Sequence, residues 1–191
     1  MSLGVDDPDR QRAADDTPDP KARLRALAHP LRMRILSLLT TTAMTAAEVA
    51  RELDLTHANA SYHLRHLLAA GLVEAAGEER IRGGVAKRYR HDPTIDHGWR
   101  APVPEGSEAT PEHRLVYAAL SAELRRRSAE LLRGPGSFLT DAEFWVDPET
   151  WTEIRDAIAE ASARLHQAAR PPRTPGTQRV SATVALFRMK G

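Results

Sequence analysis

The sequence contains no cysteine at all, which removes disulfide scaffolds from consideration. It has no apolar run approaching the roughly twenty residues of a membrane span. It also lacks a phosphate loop, a G-x-S-x-G elbow, an H-E-x-x-H helix and any carboxylate pair tied to a nucleophile, so neither an enzyme nor a cofactor is expected. The N-terminus is acidic and proline-bearing, unlike a signal peptide, and the expectation is a cytoplasmic protein. Residues 1–19 have many Asp and Pro and few large apolar side chains, which predicts a disordered acidic tail.

What is present is a segregation of charge. The net balance of the 191-residue chain is only +1, yet residues 21–91 hold twelve Lys and Arg against six Asp and Glu. A nearly neutral chain therefore contains a basic module, the distribution expected for a nucleic-acid partner.

Within that module the apolar periodicity marks successive helices. Pro30 opens a run through Leu31, Ile35, Leu36, Leu38 and Leu39, and proline suits a first helical turn. Thr45 and Glu48 have capping-box spacing ahead of Val49, Ala50 and Leu53. Asp54 and Leu55 then separate this short helix from Thr56, an N-cap candidate for the next one. So short a link forces a steep crossing, the helix-turn-helix geometry.

The helix behind Thr56 divides by period. Ala60, Leu64, Leu67 and Leu68 are assigned to a core, and His57, Asn59, Ser61, Tyr62, His63 and Arg65 to an outer face of base-edge hydrogen-bonding groups. Gly71 stands where a left-handed cap is wanted. Leu72–Ala76 and Val85–His91 read as strands around a long, glycine-bearing loop, a wing carrying Arg80, Arg82, Lys87, Arg88 and Arg90.

At this point the chain resembles the ArsR-type winged-helix transcription regulators. The resemblance rests on A-L-A-H-P-L-R-M-R-I-L-S-L-L from Ala26 to Leu39, S-Y-H-L-R-H-L in the third helix, and A-G-L-V from Ala70 to Val73. It covers roughly residues 21–91. It implies a symmetric homodimer on a palindromic double-stranded operator, usually acting as a repressor. By motif match it implies base contacts from Thr56, His57, Asn59, Ser61, Tyr62, His63 and Arg65. Where the family commonly has a basic residue before the histidine, this chain has Tyr62. Such regulators often sense metals, but with no cysteine, and only His63, His66 and His113 near one another in sequence or beside Glu112, no metal site is expected.

Residues 93–110 carry Pro93, Pro102 and Pro104 with two glycines, which predicts a linker. Its lone Trp99 reads as a packing residue more readily than as a ligand contact. A helix from Pro111 to Arg133 follows, to which the resemblance gives a dimerising role. Its Arg125-Arg126-Arg127 reads as a solvated face pairing with Glu123 and Glu130 rather than as a DNA contact. Ser137–Val146 and Val180–Met189 look like strands flanking a helix from about Asp147 to Ala169. The aromatics Phe138, Phe144, Trp145 and Trp151 are expected to form an ordinary core, with a ligand pocket as the alternative.

The expected fold class is mainly α, in the α+β sense: a winged helix-turn-helix over residues 20–92, a linker over 93–110, and a dimerisation helix with a small strand-helix-strand module over 111–191. That last module is the place for dimerisation or an organic effector. The expected function is sequence-specific binding of double-stranded DNA by a homodimeric regulator, with residues 56–70 in the major groove and the wing at 74–90 on the backbone or minor groove. The alternative is a winged helix that docks a protein partner without specific DNA binding.

Overall fold

A computed structural model describes residues 19–81, 84–93, 107–132, 134 and 136–190. The acidic tail before Asp19, Arg82 on the wing, and most of the linker with Trp99 lie outside the described residues.

The chain begins with a helix that the apolar pattern did not single out, α1 (Pro20–Leu27), capped by the Asp19 side chain, which accepts from the Lys21 amide at 3.0 Å. Helix α2 (Pro30–Leu39) follows after one turn, with His29 as N-cap and Pro30 in the first turn. The His29 Nδ1 accepts the Leu31 amide at 3.2 Å. Arg32 reaches back to the end of α1, donating to the carbonyls of Ala26 at 2.5 Å and Arg25 at 2.7 Å. The H-P-L-R string thus joins two helices: histidine caps the second, proline starts it, and arginine satisfies carbonyls left open by the first.

A two-residue strand, β1 (Met44–Thr45), leads into α3 (Ala46–Leu53). The capping box at its start is present, with the Thr45 amide donating to Glu48 at 2.7 Å and the Glu48 amide donating to Thr45 Oγ1 at 3.2 Å. Asp54 closes α3 in the left-handed conformation at φ 55°, and the Leu55 amide donates to the Ala50 carbonyl at 2.8 Å. Aspartate tolerates that geometry better than most residues. Helix α4 (His57–Ala69) then starts from the Thr56 cap, whose hydroxyl accepts the Asn59 amide at 3.2 Å.

Helix α4 ends in a Schellman motif around Gly71 at φ 63°, with the amides of Gly71 and Leu72 donating to the carbonyls of Leu68 and Leu67, both at 2.9 Å. Strands β2 (Glu74–Ile81) and β3 (Gly84–Arg90) pair antiparallel, and β1 joins the far side of β3 to give the order β1-β3-β2. The wing is a longer ladder than its sequence suggests. Ile81 pairs with Gly84, so most of the expected loop belongs to the strands, with a register shift between Ala75 and Glu78 absorbed at Gly77, φ 105°. Every residue of β2 is exposed, so no alternation of apolar and polar residues marks it.

The core lies where α2, α3 and α4 meet. Ile35, Leu39, Val49, Leu64 and Leu67 are fully buried, with Ala60 and Leu72 beside them. Leu68, assigned to the core by period, instead lies at the exposed edge of α4 because the helix buries a narrower stripe through Ala60, His63, Leu64 and Leu67. His91 locks the end of β3 to this core: its amide donates to Leu39 at 3.1 Å and its Nδ1 to the Leu72 carbonyl at 2.7 Å.

Helix α5 (Pro111–Ser128) packs against α1 and α2 of its own chain through Val116 and Ala119. Arg25 of α1 pairs with Glu112 at 3.0 Å. The run of three arginines is largely internal to the helix, since Arg126 binds Glu123 and Glu130, both at 3.0 Å, and Arg127 approaches Glu123 at 3.6 Å. Helix α6 (Pro148–Ala168) starts at an Asp147 cap and buries no residue. The strands expected on either side of it do not form a sheet. Residues 137–146 and 180–189 have no regular secondary structure and no ladder partners among the described residues. The aromatics expected as that module's core are accordingly exposed at Phe138, Phe144 and Trp145, with Trp151 half-buried. Among the described residues no helix is long and apolar enough to cross a membrane.

Two substitutions test this account by urea denaturation. Leu64→Ala is expected to cost about 2–5 kcal/mol, as for other fully buried leucines. Gly71→Ala, which forces a Cβ into a left-handed cap, is expected to cost about 1–2 kcal/mol. Wild-type stability in either variant would contradict the assigned core or cap.

Candidate nucleic-acid interface

The turn between α3 and α4 fixes which side of α4 meets solvent. With Ala60, Leu64 and Leu67 held inward, His57, Asn59, Tyr62 and Arg65 are exposed, together with the Thr56 cap. Asn59 and Tyr62 are one turn apart, and Arg65 follows on the next. Ser61 is half-buried at the border of this face. The Tyr62 ring meets His66 edge-on, with centroids 4.4 Å apart, which orders a side chain that is itself half in solvent.

His63 departs from the outer-face assignment. It is only 6 % exposed, and its ring lies 4.9 Å from that of His29, the cap of α2. Its position three residues after Ala60 and four before Leu67 places it on the inner stripe. Its Nδ1 is buried without a hydrogen-bond partner. His63 therefore supports the helix from beneath instead of facing outward. The pairing with His29 joins residues 34 positions apart, and neither helical period reveals it.

The wing cations also divide. Arg80 and Lys87 are exposed and carry no ion pair among the described residues. Arg88, the next residue along β3, faces the opposite side of the ribbon, as strand geometry requires. Its guanidinium donates to Glu79 and to the Ala43 carbonyl and lies 3.5 Å from Glu48, tying β3 to the start of α3. Arg90 approaches Glu74 at 3.4 Å. The sequence signal for Arg88 was the Thr45–Glu48 box: a carboxylate already committed to a cap offers a fixed anion to a neighbouring strand. Although partial burial opposes it, the Thr45 amide and hydroxyl, with Arg88, hold the Glu48 carboxyl below its ordinary range.

A shallow cleft of about 280 Å³ lies between α1 and the end of α4, lined by Arg25, Arg32 and His66 among small alanines. Among the described residues no group of three or more His, Asp or Glu side chains is arranged to hold a metal ion.

The histidines are expected to make the fold sensitive to acid. Burial, then the positive neighbours His29, Arg32 and His66, push the His63 pKa down, and burial with Arg32 does the same to His29. Burial also lowers His91, against the opposing pull of the Leu72 carbonyl and Asp92. A histidine depressed in the folded state contributes its full stability above the ordinary histidine pKa of about 6.5. That contribution falls as the pH drops below this value, because the unfolded chain takes up protons that the folded chain refuses. The urea midpoint is therefore expected to fall between pH 7.5 and 5, and to fall less in His63→Leu; a midpoint that rises on acidification would contradict the assignment.

None of the curated proteins compared matches the chain. Residues 27–75, from the end of α1 to the start of β2, match the model of a helix-turn-helix domain family, and the chain contains such a domain.

Proposed function

We propose that the protein is a sequence-specific, double-stranded DNA-binding transcription regulator of the ArsR type, acting as a homodimeric repressor on a palindromic operator. The observation that carries this reading is the polar outer face of α4, held outward by a fully buried inner face and flanked by the exposed wing cations Arg80 and Lys87, which carry no ion pair among the described residues. In this reading residues 56–70 enter the major groove. Thr56, His57, Asn59, Ser61, Tyr62 and Arg65 meet phosphates or base edges there, Arg65 having the fixed donors suited to guanine. The wing at 74–90 lies on the backbone or minor groove through Arg80, Arg82 and Lys87.

His63 and Arg88 act as supports, holding the helix and the wing that make contact. The winged helix occupies residues 20–92, a linker 93–110, and the C-terminal module 111–191. In this reading the C-terminal module is the place for an organic effector or for assembly of the dimer.

Three wing cations in each of two subunits imply about six neutralised phosphates, hence a slope of about −5 for log affinity against log salt. Absence of duplex binding at low salt would overturn the reading and leave the domain a protein-docking module. Arg65→Ala is expected to cost about 1–3 kcal/mol on the preferred sequence and to relax preference at one base position of each half-site. Lys87→Ala is expected to weaken all duplexes alike and to flatten the salt slope by about 2 in the dimer. Equal losses from the two variants on every sequence would contradict the division between base reading and backbone contact.

A further inference from the structure

The C-terminal third of the chain is organised like a folded module but has no inside. Helix α6 is long and carries an apolar stripe through Trp151, Ile154, Ile158 and Leu165, yet none of it is fully buried, Trp151 and Ile158 being half-buried and Ile154 and Leu165 exposed. The flanking segments have no regular secondary structure and are rich in β-formers. Phe138 is 88 %, Leu139 92 % and Trp145 93 % exposed, and Val184 and Phe187 are more than half exposed. None of residues 138–146 or 178–187 makes a backbone–backbone hydrogen bond among the described residues. Two segments with the residue types of buried strands thus lack ladder partners among the described residues, and their apolar side chains are largely uncovered, although Phe187 meets the Tyr117 ring of α5 at 5.3 Å. A chain does not leave so much apolar surface and so many backbone groups to solvent without cause.

We infer that these two segments are interface strands: residues 137–146 of one copy pair with residues 178–190 of a second copy, and α6 covers the joint sheet. The inference rests on the homodimer proposed above and gives it a location. Two observations select a second copy as the occupant, and charge is not one of them, since Arg179 and Lys190 already pair with Glu130 and Glu108 of their own chain. Each copy offers both segments, so a two-fold arrangement satisfies all four and closes. The area also fits. Phe138, Phe144 and Trp145 supply roughly 450–750 Å² per chain at about 150–250 Å² per aromatic. With the neighbouring aliphatics this reaches the roughly 800 Å² per partner of a stable interface. The winged helix needs none of these residues for its own core.

The test uses the full chain without DNA. Light scattering after gel filtration is expected to give the mass of two chains. Hydrogen exchange is expected to show protection of the amides at 138–146 and 180–187. Trp145→Glu and Val184→Glu, both outside the winged-helix core, are each expected to yield a monomer that keeps its helical circular dichroism and loses that protection. A monomeric wild type overturns the inference, whether its segments exchange freely or are protected by pairing within one chain. So does a dimer that survives both substitutions or whose segments exchange freely. A protected dimer that fails to bind any duplex supports this interface while sinking the DNA reading.

Discussion

The structure depends on the burial of one face of a thirteen-residue helix. Ala60, Leu64 and Leu67 pack into the junction of α2 and α3, and this contact fixes the rotation of α4 about its own axis. Once the rotation is fixed, the exposed residues follow without further choice. The Thr56 cap and the left-handed Asp54 fix where the helix starts and at what angle it leaves α3. Gly71 fixes where it stops and sends Leu72 and Val73 back into the core before the wing begins. The His29–His63 contact sits beneath the same helix and couples its position to the cap of α2.

Charge is divided between construction and contact. The basic module has an excess of six cations by composition, but several are spent inside the molecule. Arg32 closes α1 and Arg88 joins the wing to the α3 cap, and outside that module Arg126 and Arg127 likewise surround a Glu123 that is only 2 % exposed. Buried or bridged cations of this kind hold elements in place and offer little to a phosphate. The exposed Arg65, Arg80 and Lys87 have no such partner among the described residues, and they stand on the surface that carries the polar face of α4 and the wing. Composition counts both kinds alike; only the ladder register and the helix rotation separate them.

Local signals were readable wherever the physics is local. The Thr45–Glu48 box, the Thr56 cap, the Gly71 exit and the short α3–α4 link all lie within a few residues of their partners, and the structure contains each of them. Helix α6 was legible from its cap and stripe. What escaped depends on contacts distant in sequence. Strand β1 is two residues long and exists through its pairing with Tyr89 and Arg88. The length of β2 is hidden because both its faces are exposed, and the fate of His63 depends on His29. The two C-terminal segments have strand-like sequences, but a strand is defined by its neighbour, and among the described residues they have none. Their residue types describe a surface to be covered, and among the described residues most of it is exposed.

The central claim, that the outer face of α4 reads base sequence in a paired arrangement, is tested most directly by selecting bound duplexes from a random pool and sequencing them. The account predicts enrichment of an inverted repeat whose half-site centres are about 10–10.5 base pairs, or a multiple, apart, with Arg65→Ala losing preference at one position in each half. A pool that shows no enrichment, or enrichment that is unchanged by Arg65→Ala and the loss of the other exposed α4 side chains, would contradict it.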